Sequence, residues 1–542
     1  MRVLRGSEEV DVVVVGGGPN GLVCANYLAR AGLDVVVVEA GRRLGGGLST
    51  EEVTLPLFRH NLHAFFMRWT PSYKLWTDLD LEETGLRMLM PEMQNALPTA
   101  EGRVLVTYSD VERTLDAVAA FNRDDAARFG ALLEECARLS RTVIEPLRFS
   151  APVAGAEREE LLRRSADGRR FLEISSYSAL DFVKENFASE EVRALLLFAS
   201  ALRGYLPVLD VPGTGYVVAQ AITGLVNCLI CEGGSYELAR ALAAQIYRCG
   251  GRTIAGDPVQ EIMVRSGRAV GVRLSGGSAI SARRAVVSNV PAPQTLLDLV
   301  GREHLDRSLV DTMMSYPWNG EALFGAHLAL KEAPDFGDST DGARALNLCL
   351  GYESSVDVER DIAEVRRGEI PSFAALHASV PTRSDPSQAP PGMHTAFGWQ
   401  FVPSRPDGET ADYWTEERSG GQLAQMVETW RKYAPNVADA EIARSAHSPL
   451  DTQHHLPSML HGDRHGGLYH PDNFYEDRPA RDLSNYRTPI EGLYLCGASS
   501  HPGGSVNGLP GYNAAGAVAD DLGVDKWWQP TDARAWLADL AR

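Results

Sequence analysis

The sequence has little cysteine and too few positive charges to balance its acids. Seven cysteines are scattered over 542 residues, and an odd, scattered set excludes a disulfide framework and is typical of a reducing compartment. Lysine and arginine number 52 against 71 aspartates and glutamates, which gives a formal net charge of -19. Because so acidic a chain repels the phosphates of nucleic acid, we expect no nucleic-acid partner.

A long hydrophobic run is also missing. The sequence contains no window of about 18 uncharged apolar residues, roughly the length that a membrane-spanning helix needs. The residues before Glu8 contain no apolar stretch of the kind that secretory signals carry. We therefore expect a cytoplasmic protein without a spanning helix, and the sequence leaves peripheral contact with a membrane open. It does not indicate an oligomeric state.

Two of the cysteines, Cys228 and Cys231, form a C-x-x-C pair. No second pair with zinc-site spacing lies nearby, and the surrounding sequence, GLVNCLICEGG, is apolar. We therefore interpret both cysteines as core residues rather than as a redox or metal-binding pair.

The N-terminal part contains a strand, a helix and a second strand. Val10–Val15 is a nearly continuous β-branched run, which is typical of a strand buried on both faces of a parallel sheet. Apolar residues recur at helical spacing over 21–31, and Gly32 follows in the position that commonly ends a helix. A second valine run, Val35–Val38, leads to Glu39. Together these segments predict a βαβ unit of about 30 residues.

The turn of this unit carries the spacing G-x-G-x-x-G. In such a turn the first glycine permits a tight bend, the second lets a pyrophosphate approach the backbone, and the third lets the helix pack closely. The helix N-terminus offers free N–H groups to the phosphates, and Glu39 lies at the distance expected of an acid that hydrogen-bonds an adenosine ribose. The sequence thus predicts a bound NAD or FAD, contacted by Gly16, Gly18, Pro19, Asn20, Gly21, Glu39 and Ala40.

The next residues, EAGRRLGGGLST, distinguish the two cofactors. A further glycine run, Gly45, Gly46 and Gly47, preceded by Arg43, resembles the extended motif of flavoproteins in the amine oxidase and phytoene desaturase superfamily. The resemblance implies that the cofactor is FAD and that these four residues contact it. An arginine can pair with phosphate, and glycines let the backbone come close to a cofactor.

The C-terminal stretch LYLCGASSHPGGSVNGLPGYNAAGAVADDL, residues 493–522, resembles the closing motif of the phytoene desaturase-like FAD oxidoreductases. It is most similar to the branch named pyridine nucleotide-disulfide oxidoreductase domain-containing protein 2. A helix that begins near the PGYNAA motif would point its positive end at the flavin and stabilise the reduced ring. The resemblance implies a cofactor contact at Val259, in the strand-like segment GDPVQEI. In the C-terminal stretch it implies further contacts at Gly497, Gly503, Gly504, Asn507, Gly511, Tyr512 and Asn513.

The expected fold class is α/β. We predict a Rossmann-type FAD-binding domain, glutathione reductase-like and discontinuous, with an inserted α+β substrate domain, because βαβ patterns occupy both ends of the chain and long insertions separate them. Ligands usually bind in the cleft between such domains. We assign 8–74, 224–290 and 487–525 to the FAD-binding domain, 75–223 to a helical part of the substrate domain, 291–486 to its second part and 526–542 to a tail.

Three histidines are candidates for a catalytic base, since histidine titrates near neutral pH. His501 lies beside the predicted flavin loop and is the first candidate, with capping or packing of that loop as the alternative. His60 and His63, in RHNLHAFF, follow the first cofactor segment and should lie near the cleft, where a structural role is the alternative.

A further histidine-rich segment lies at 454–470. Its spacing fits no common ligand signature, so we predict no metal site and expect these side chains to line the cleft or lie on a surface loop. The segment contains His454, His455, His461, His465 and His470, with Asp463 between them.

These patterns favour an FAD-dependent dehydrogenase or desaturase. It would move a hydride from a hydrophobic or conjugated organic substrate to flavin N5, with reoxidation by oxygen or a quinone. Two alternatives follow from the same resemblance: a redox-neutral FAD-dependent isomerase, and a non-catalytic escort-type binding protein on the same fold. A dedicated nicotinamide domain is not expected, because no second G-x-G-x-x-G stands inside its own βαβ unit.

Overall fold

The computed structural model describes residues 8–69, 72–337, 340–408 and 411–540. Residues 1–7, on which the expectation about a secretory signal depends, lie outside the described residues, as do the last two residues of the predicted tail. No helix in the described ranges is long and apolar enough to cross a membrane.

A seven-stranded sheet, the first sheet, is built from three separated parts of the chain. Its central strands run parallel, and the hairpin at one edge is antiparallel. In spatial order six strands are Val259–Arg265, Arg268–Leu274, Ala279–Ser288, Glu8–Val15, Val35–Glu39 and Arg252–Ala255, and Leu493–Leu495 pairs with Ala279–Ser288.

The valine runs form strands because the first sheet is covered on both faces. Successive side chains of a strand point to opposite faces. Val12 and Val14 accordingly belong to one buried apolar cluster, whereas Val13 and Val15 belong to another on the opposite side. A continuous β-branched run therefore fills two cores at once, as the sequence predicts.

Three helices pack on the face that Val12 and Val14 cover. They are the nucleotide helix (Pro19–Arg30), a second helix (Tyr236–Arg248) and the closing helix (Leu509–Leu522). The first turns of the nucleotide and closing helices meet so closely that a Cβ atom on Gly511 would lie 2.0 Å from the carbonyl oxygen of Asn20. Only a residue without a Cβ fits at this crossing.

A second seven-stranded sheet draws on both long insertions. It is antiparallel except where Asn347–Leu350 pairs with Met93–Pro98. Trp430 and neighbouring residues of the helix Glu416–Tyr433 pack in the same apolar cluster as this sheet. Its strands, in spatial order, are Glu441–His447, Glu321–Leu330, His394–Pro403, Leu376–Ser379, Asn347–Leu350, Met93–Pro98 and Val104–Tyr108.

A helical layer with its own apolar core lies beside the two sheets. Two short antiparallel strand pairs lie outside the two large sheets: Thr50–Glu51 pairs with His60–Asn61, and Met88–Leu89 pairs with Ile230–Cys231. The helices of the layer are Val111–Ala119, Arg123–Leu139, Gly155–Arg163, Ala166–Ser176, Ala179–Asn186, Glu190–Ser200 and Tyr216–Gly224, and Ala533–Leu540, the C-terminal helix, packs on them.

The structure differs from the sequence prediction in the region 75–223. This region contributes the strands Met93–Pro98 and Val104–Tyr108 to the second sheet, although its patterns are mainly helical. The continuous helical run at 178–202 is divided into Ala179–Asn186 and Glu190–Ser200. The helical run is interrupted because Phe187, after the first helix, and Ser189, before the second, both have extended backbone conformations.

Because the two helices cross at Gly511, we expect a glycine-to-alanine substitution to have opposite effects on stability at two positions of the closing helix. Gly511→Ala should lower the melting temperature and the amount of FAD retained, because the new methyl group meets the Asn20 carbonyl. Gly516→Ala, with nothing within 4 Å of its Cβ position, should stabilise the helix by about 0.5–1 kcal/mol. Thermal melts and flavin content measure both effects. Equal melting temperatures for the two variants would contradict the close contact.

Candidate active site

The glycine turn after the first strand forms one end of the site. Gly16 adopts a φ of 93°, and a Cβ on Gly21 would lie 2.1 Å from the Gly16 carbonyl oxygen, so the nucleotide helix packs directly onto the turn. The helix begins at Pro19 after Gly18, and no side chain of the described residues caps it. Its first N–H groups therefore remain available for an anion.

Glu39 lies at the end of the second strand, beside this turn. Its carboxylate accepts hydrogen bonds from the backbone N–H of Gly17 and of Gly41, each at 2.7 Å. Burial raises the pKa of Glu39, and the backbone hydrogen bonds oppose that shift. Each carboxylate oxygen can accept a further hydrogen bond, which is what a ribose hydroxyl group would donate.

The second glycine run folds back against the first. The backbone N–H of Gly45 donates to the carbonyl of Gly17 at 2.7 Å, and a Cβ on Gly46 would lie 3.1 Å from the Gly18 Cα atom. The two runs therefore form one backbone-lined surface. Arg43 is exposed and its guanidinium lies 5.6 Å from the centre of the Tyr236 ring.

The closing loop, residues 497–508, is braced by aromatic side chains from the N-terminal part of the chain. The indole N–H of Trp69 donates to the carbonyl of Val506 at 2.7 Å, and the hydroxyl of Tyr73 donates to the carbonyl of Asn507 at 2.6 Å. The side chain of Asn507 accepts the backbone N–H of Leu509 at 2.8 Å, at the start of the closing helix. The loop is thus held in one conformation against the first cofactor segment.

A buried arginine joins a second loop, residues 463–467, to the closing loop. Arg478 is fully buried, and its guanidinium donates to the carbonyls of His465 at 2.9 Å and Ala498 at 3.0 Å. The carboxylate of Asp463 accepts four backbone N–H groups. Because these bonds occupy Asp463, it serves as an anchor of the loop.

A cavity of about 1140 Å³ lies between these loops and the second sheet. Its far wall is apolar and aromatic, with Phe65, Phe66, Met67, Leu323 and Trp399. Predicted cofactor residues form the near side. Those that line the cavity are Gly18, Pro19, Asn20, Gly46, Gly47, Gly504 and Asn507.

These groups fit an extended dinucleotide with a flat ring. The uncapped helix turn suits phosphates, Glu39 suits a ribose, and the glycine-rich backbone beside the cavity leaves room for a ring system. When FAD is bound, the first glycine turn would hold its pyrophosphate, and the second glycine run with the closing loop would face its ring.

Other predicted cofactor contacts lie away from this cavity or use their side chains elsewhere. Ala40 is exposed, and Val259 begins the edge hairpin of the first sheet. The hydroxyl of Tyr512 donates to the carbonyl of Gln529 at 3.2 Å, and the Asn513 amide donates to the carbonyl of Arg148 at 3.0 Å. As cofactor contacts these residues, like Arg43, stay predictions.

His501 is held by the packing of its loop. It is buried, its Nε2 atom lies 2.9 Å from the Leu147 carbonyl, and its ring lies 5.5 Å from the ring of Tyr475. It lines a separate, smaller cavity, and burial lowers the pKa of His501 to about 3. This geometry favours the packing role over the role of catalytic base, which stays a prediction.

His60 and His63 have different surroundings. His60 is buried outside the cavity lining, with its Nε2 atom 2.8 Å from the hydroxyl of Thr54, and burial lowers its pKa to about 3. His63 lines the cavity, and its Nε2 atom lies 3.0 Å from the Nδ1 atom of His455. Burial lowers the pKa of His63 well below its usual range, so the ring is neutral at neutral pH.

The structure separates the members of the histidine-rich segment 454–470. His465 is buried and lines the cavity, and neither ring nitrogen has a hydrogen-bond partner among the described residues. His461 accepts a hydrogen bond from Arg405, and His470 caps a short turn. Of the histidines of this segment only His465 is among the residues that line the cavity, while His455 joins a different group that includes His63.

Sequence reasoning missed two arginines in the cavity wall. Arg68 and Arg203 both line the cavity, and both donate to the carbonyl of Gln220, at 2.7 and 2.8 Å. Burial lowers the pKa of Arg68 to about 10, which leaves it charged at neutral pH. No local pattern marks these residues, because they come from separate segments that meet only in the fold.

The chain matches a known family and several known proteins. Over residues 20–519 it matches the family described as flavin containing amine oxidoreductase. It is 30% identical over 543 residues to one of the subunits of limonene dehydrogenase from Castellaniella defragrans, with 97% of both chains covered. It is 28% identical over 557 residues to pyridine nucleotide-disulfide oxidoreductase domain-containing protein 2 of Mus musculus, covering 95% of this chain and 94% of the relative. A solved structure of a putrescine oxidase triple mutant superimposes with a TM-score of 0.60 at 16% identity, covering 96% of this chain and all of the other.

Glu39→Gln should weaken FAD binding. The amide keeps the size of the side chain but loses the charge that strengthens its hydrogen bonds, and we expect an affinity loss of about 10-fold or more. Titration of the apoprotein with FAD, followed by quenching of flavin fluorescence, measures the dissociation constant. Glu52→Gln, at an exposed neighbouring position, is the matched control, and equal affinities for the two variants would contradict the role of Glu39.

Because His501 is buried in its neutral form, we expect the free energy of unfolding to fall in acid. Its pKa is about 3 in the fold against an ordinary 6.5, so the unfolded chain binds a proton that the folded chain excludes. The stability is complete above the ordinary pKa and falls as the pH drops below it, by about 2 kcal/mol at about pH 5 for this one group.

Urea unfolding near neutrality and in mild acid measures this loss. His501→Gln keeps a donor for the Leu147 carbonyl and cannot titrate, so its stability should fall less than that of the wild type over the same pH change. Parallel stability losses in the two proteins would show that His501 is not a buried neutral histidine.

Proposed function

Because the chain belongs to the family of flavin containing amine oxidoreductases, we propose that its cavity holds a hydrophobic substrate against FAD and that a C–H bond of that substrate supplies the hydride. The chain is an FAD-dependent oxidoreductase of the desaturase and dehydrogenase type with a Rossmann-type fold. This confirms the predicted cofactor, fold class and family resemblance. The escort-type alternative is set aside.

The observation that carries the proposal is the apolar far wall of the cavity. Phe65 and Trp399 belong to a buried apolar cluster, and Phe66 and Leu323 pack against it. Burial of a hydrocarbon against such a wall is favourable by roughly 25 cal/mol per Å² of apolar surface. The relative from Castellaniella defragrans is named for limonene, a hydrocarbon, and we extend that class of substrate to this chain.

The polar part of the cavity disfavours the substrate that the family description suggests. Arg68 and Arg203 place two guanidinium groups on the cavity wall. Over the whole lining six basic side chains face four carboxylates, so a protonated amine would meet a net positive charge. An uncharged substrate avoids this repulsion. We therefore propose a terpene-like or other isoprenoid molecule rather than an amine.

Bound FAD supplies hydride acceptance at its N5 position. The residues of the chain have two tasks beside it. The aromatic wall, with Trp399 and Phe66, excludes water and fixes the face that the substrate presents. His465 brings a neutral imidazole ring to the cavity, and its two ring nitrogens, which have no hydrogen-bond partner among the described residues, can hydrogen-bond a polar group there.

The test is anaerobic mixing of the FAD-loaded protein with single compounds while the visible flavin absorbance is followed. We expect a monoterpene hydrocarbon such as limonene to bleach the flavin, and putrescine or benzylamine to leave it unchanged. Conversion of the substrate without lasting bleaching would favour the isomerase alternative. Bleaching by the amines alone would overturn the proposed substrate class.

A substitution in the far wall of the cavity tests whether the substrate that bleaches the flavin binds there. Leu323→Trp fills space at the far wall and should slow bleaching by about 10-fold or more while FAD content is unchanged, because the substrate no longer fits. Val356→Trp, on an exposed helix position, introduces the same residue outside the cavity and should bleach at the wild-type rate.

We also propose contact of the cavity mouth with a lipid surface. Residues of the C-terminal helix, including Ala535 and Trp536, line the cavity, and Trp536 is 46% exposed. An exposed tryptophan beside the opening of an apolar cavity suits the interface of a bilayer, from which a hydrophobic substrate would enter.

A further inference from the structure

Three histidines from two distant parts of the chain meet beside the cavity. His63 follows the short strand His60–Asn61, His447 ends the strand Glu441–His447, and His455 ends the helix Pro449–His455. One ring nitrogen of each lies within 4.8 Å of the corresponding nitrogens of the other two. Sequence spacing does not predict this group, since His63 and His455 are 392 residues apart.

The distance between two of the nitrogens suits a shared metal ion. The Nε2 atom of His63 and the Nδ1 atom of His455 are 3.0 Å apart. Two nitrogens bound to one tetrahedral zinc ion at about 2.0–2.1 Å would be about 3.3 Å apart. A shift of a few tenths of an ångström at this pair would therefore admit an ion.

The third histidine has a nitrogen that the fold leaves without a partner. The Nε2 atom of His447 is buried and has no hydrogen-bond partner among the described residues, while the ring centres of His447 and His63 lie 5.0 Å apart. A hydrogen bond between His63 and His455 satisfies those two rings and leaves His447 unpaired. An ion among the three satisfies all of them.

A carboxylate orients one of the ligands. The Nε2 atom of His455, on the side of the ring away from His63, lies 3.1 Å from a carboxylate oxygen of Glu51. This arrangement puts the ring proton on Nε2 and leaves the Nδ1 lone pair facing His63. Carboxylates commonly fix metal-bound histidines in this way.

We propose that His63, His447 and His455 bind a divalent late first-row metal ion of the zinc class, with Glu51 as the positioning residue of His455. Imidazole nitrogens suit zinc, nickel, copper and iron, and three such ligands leave a position for water or a substrate atom. Because His63 lines the cavity, the ion would adjoin the space that the substrate occupies. This inference replaces the sequence prediction of no metal, which considered spacing within one segment only.

The test uses zinc as the probe on the FAD-loaded protein, with any affinity tag removed and endogenous metal stripped by a chelator. We expect one equivalent of zinc per chain, measured by elemental analysis after dialysis. His447→Ala should lower the zinc affinity by about 100-fold or more, since it removes one of three ligands. Glu51→Gln, which keeps every ligand, should lower it by about 10–100-fold.

His304→Ala, at an exposed histidine outside the group, is the matched control and should bind zinc as the wild type does. Flavin content and melting temperature verify that each variant is folded. If His447→Ala does not fold, the zinc affinity of Glu51→Gln alone tests the proposal. The proposal is overturned if the wild type takes up no stoichiometric zinc. It is equally overturned if Glu51→Gln and His304→Ala bind zinc with the same affinity.

Discussion

The site depends on one backbone contact, the crossing of the nucleotide helix and the closing helix at Asn20 and Gly511. These helices begin almost five hundred residues apart in the chain, and both direct their N-terminal ends toward the cofactor region. Two helix N-termini side by side concentrate positive potential at one place. Such a place suits a dinucleotide phosphate and the negative charge of a reduced flavin, and it forms only if no Cβ separates the two turns.

Local pattern accounts for the part of the fold that binds the nucleotide. The valine runs, the glycine turn and the helix after it follow a periodicity and a turn geometry that a short stretch of sequence carries, so spacing along the chain predicts them although distant strands and helices complete their packing. The second sheet is different. Met93–Pro98 pairs with Asn347–Leu350, and Asn347 hydrogen-bonds to Gln94 across 253 residues. These strands are stabilised by a distant partner that a local pattern does not contain, and helical patterns predominate around them.

The residues of the candidate site also fall into those that a local sequence pattern predicts and those that it does not. The glycines of the cofactor surface were predictable because their function requires a fixed spacing. His501 lies in the closing loop, but its ring nitrogen contacts the Leu147 carbonyl and the ring lines the smaller cavity, not the main one. Neighbourhood in sequence therefore predicts the position of a residue and not the direction of its side chain. His447 and Arg203 carry no local signal, and their relevance follows only from which segments the fold brings together.

The cofactor side and the substrate side of the cavity have partly separate origins in the chain, since Phe65, Phe66 and Met67 of the far wall follow the first cofactor segment while other wall residues come from elsewhere. The first sheet and its three helices supply the glycines, whereas Leu323 and Trp399 come from the second sheet and Arg203 from the helical layer. A change in the second sheet can thus alter the substrate without disturbing the glycine surface. In this chain Leu323 and Trp399 make that part of the wall apolar, so the second sheet sets the surface that a hydrophobic substrate meets although the fold as a whole is shared with amine oxidases.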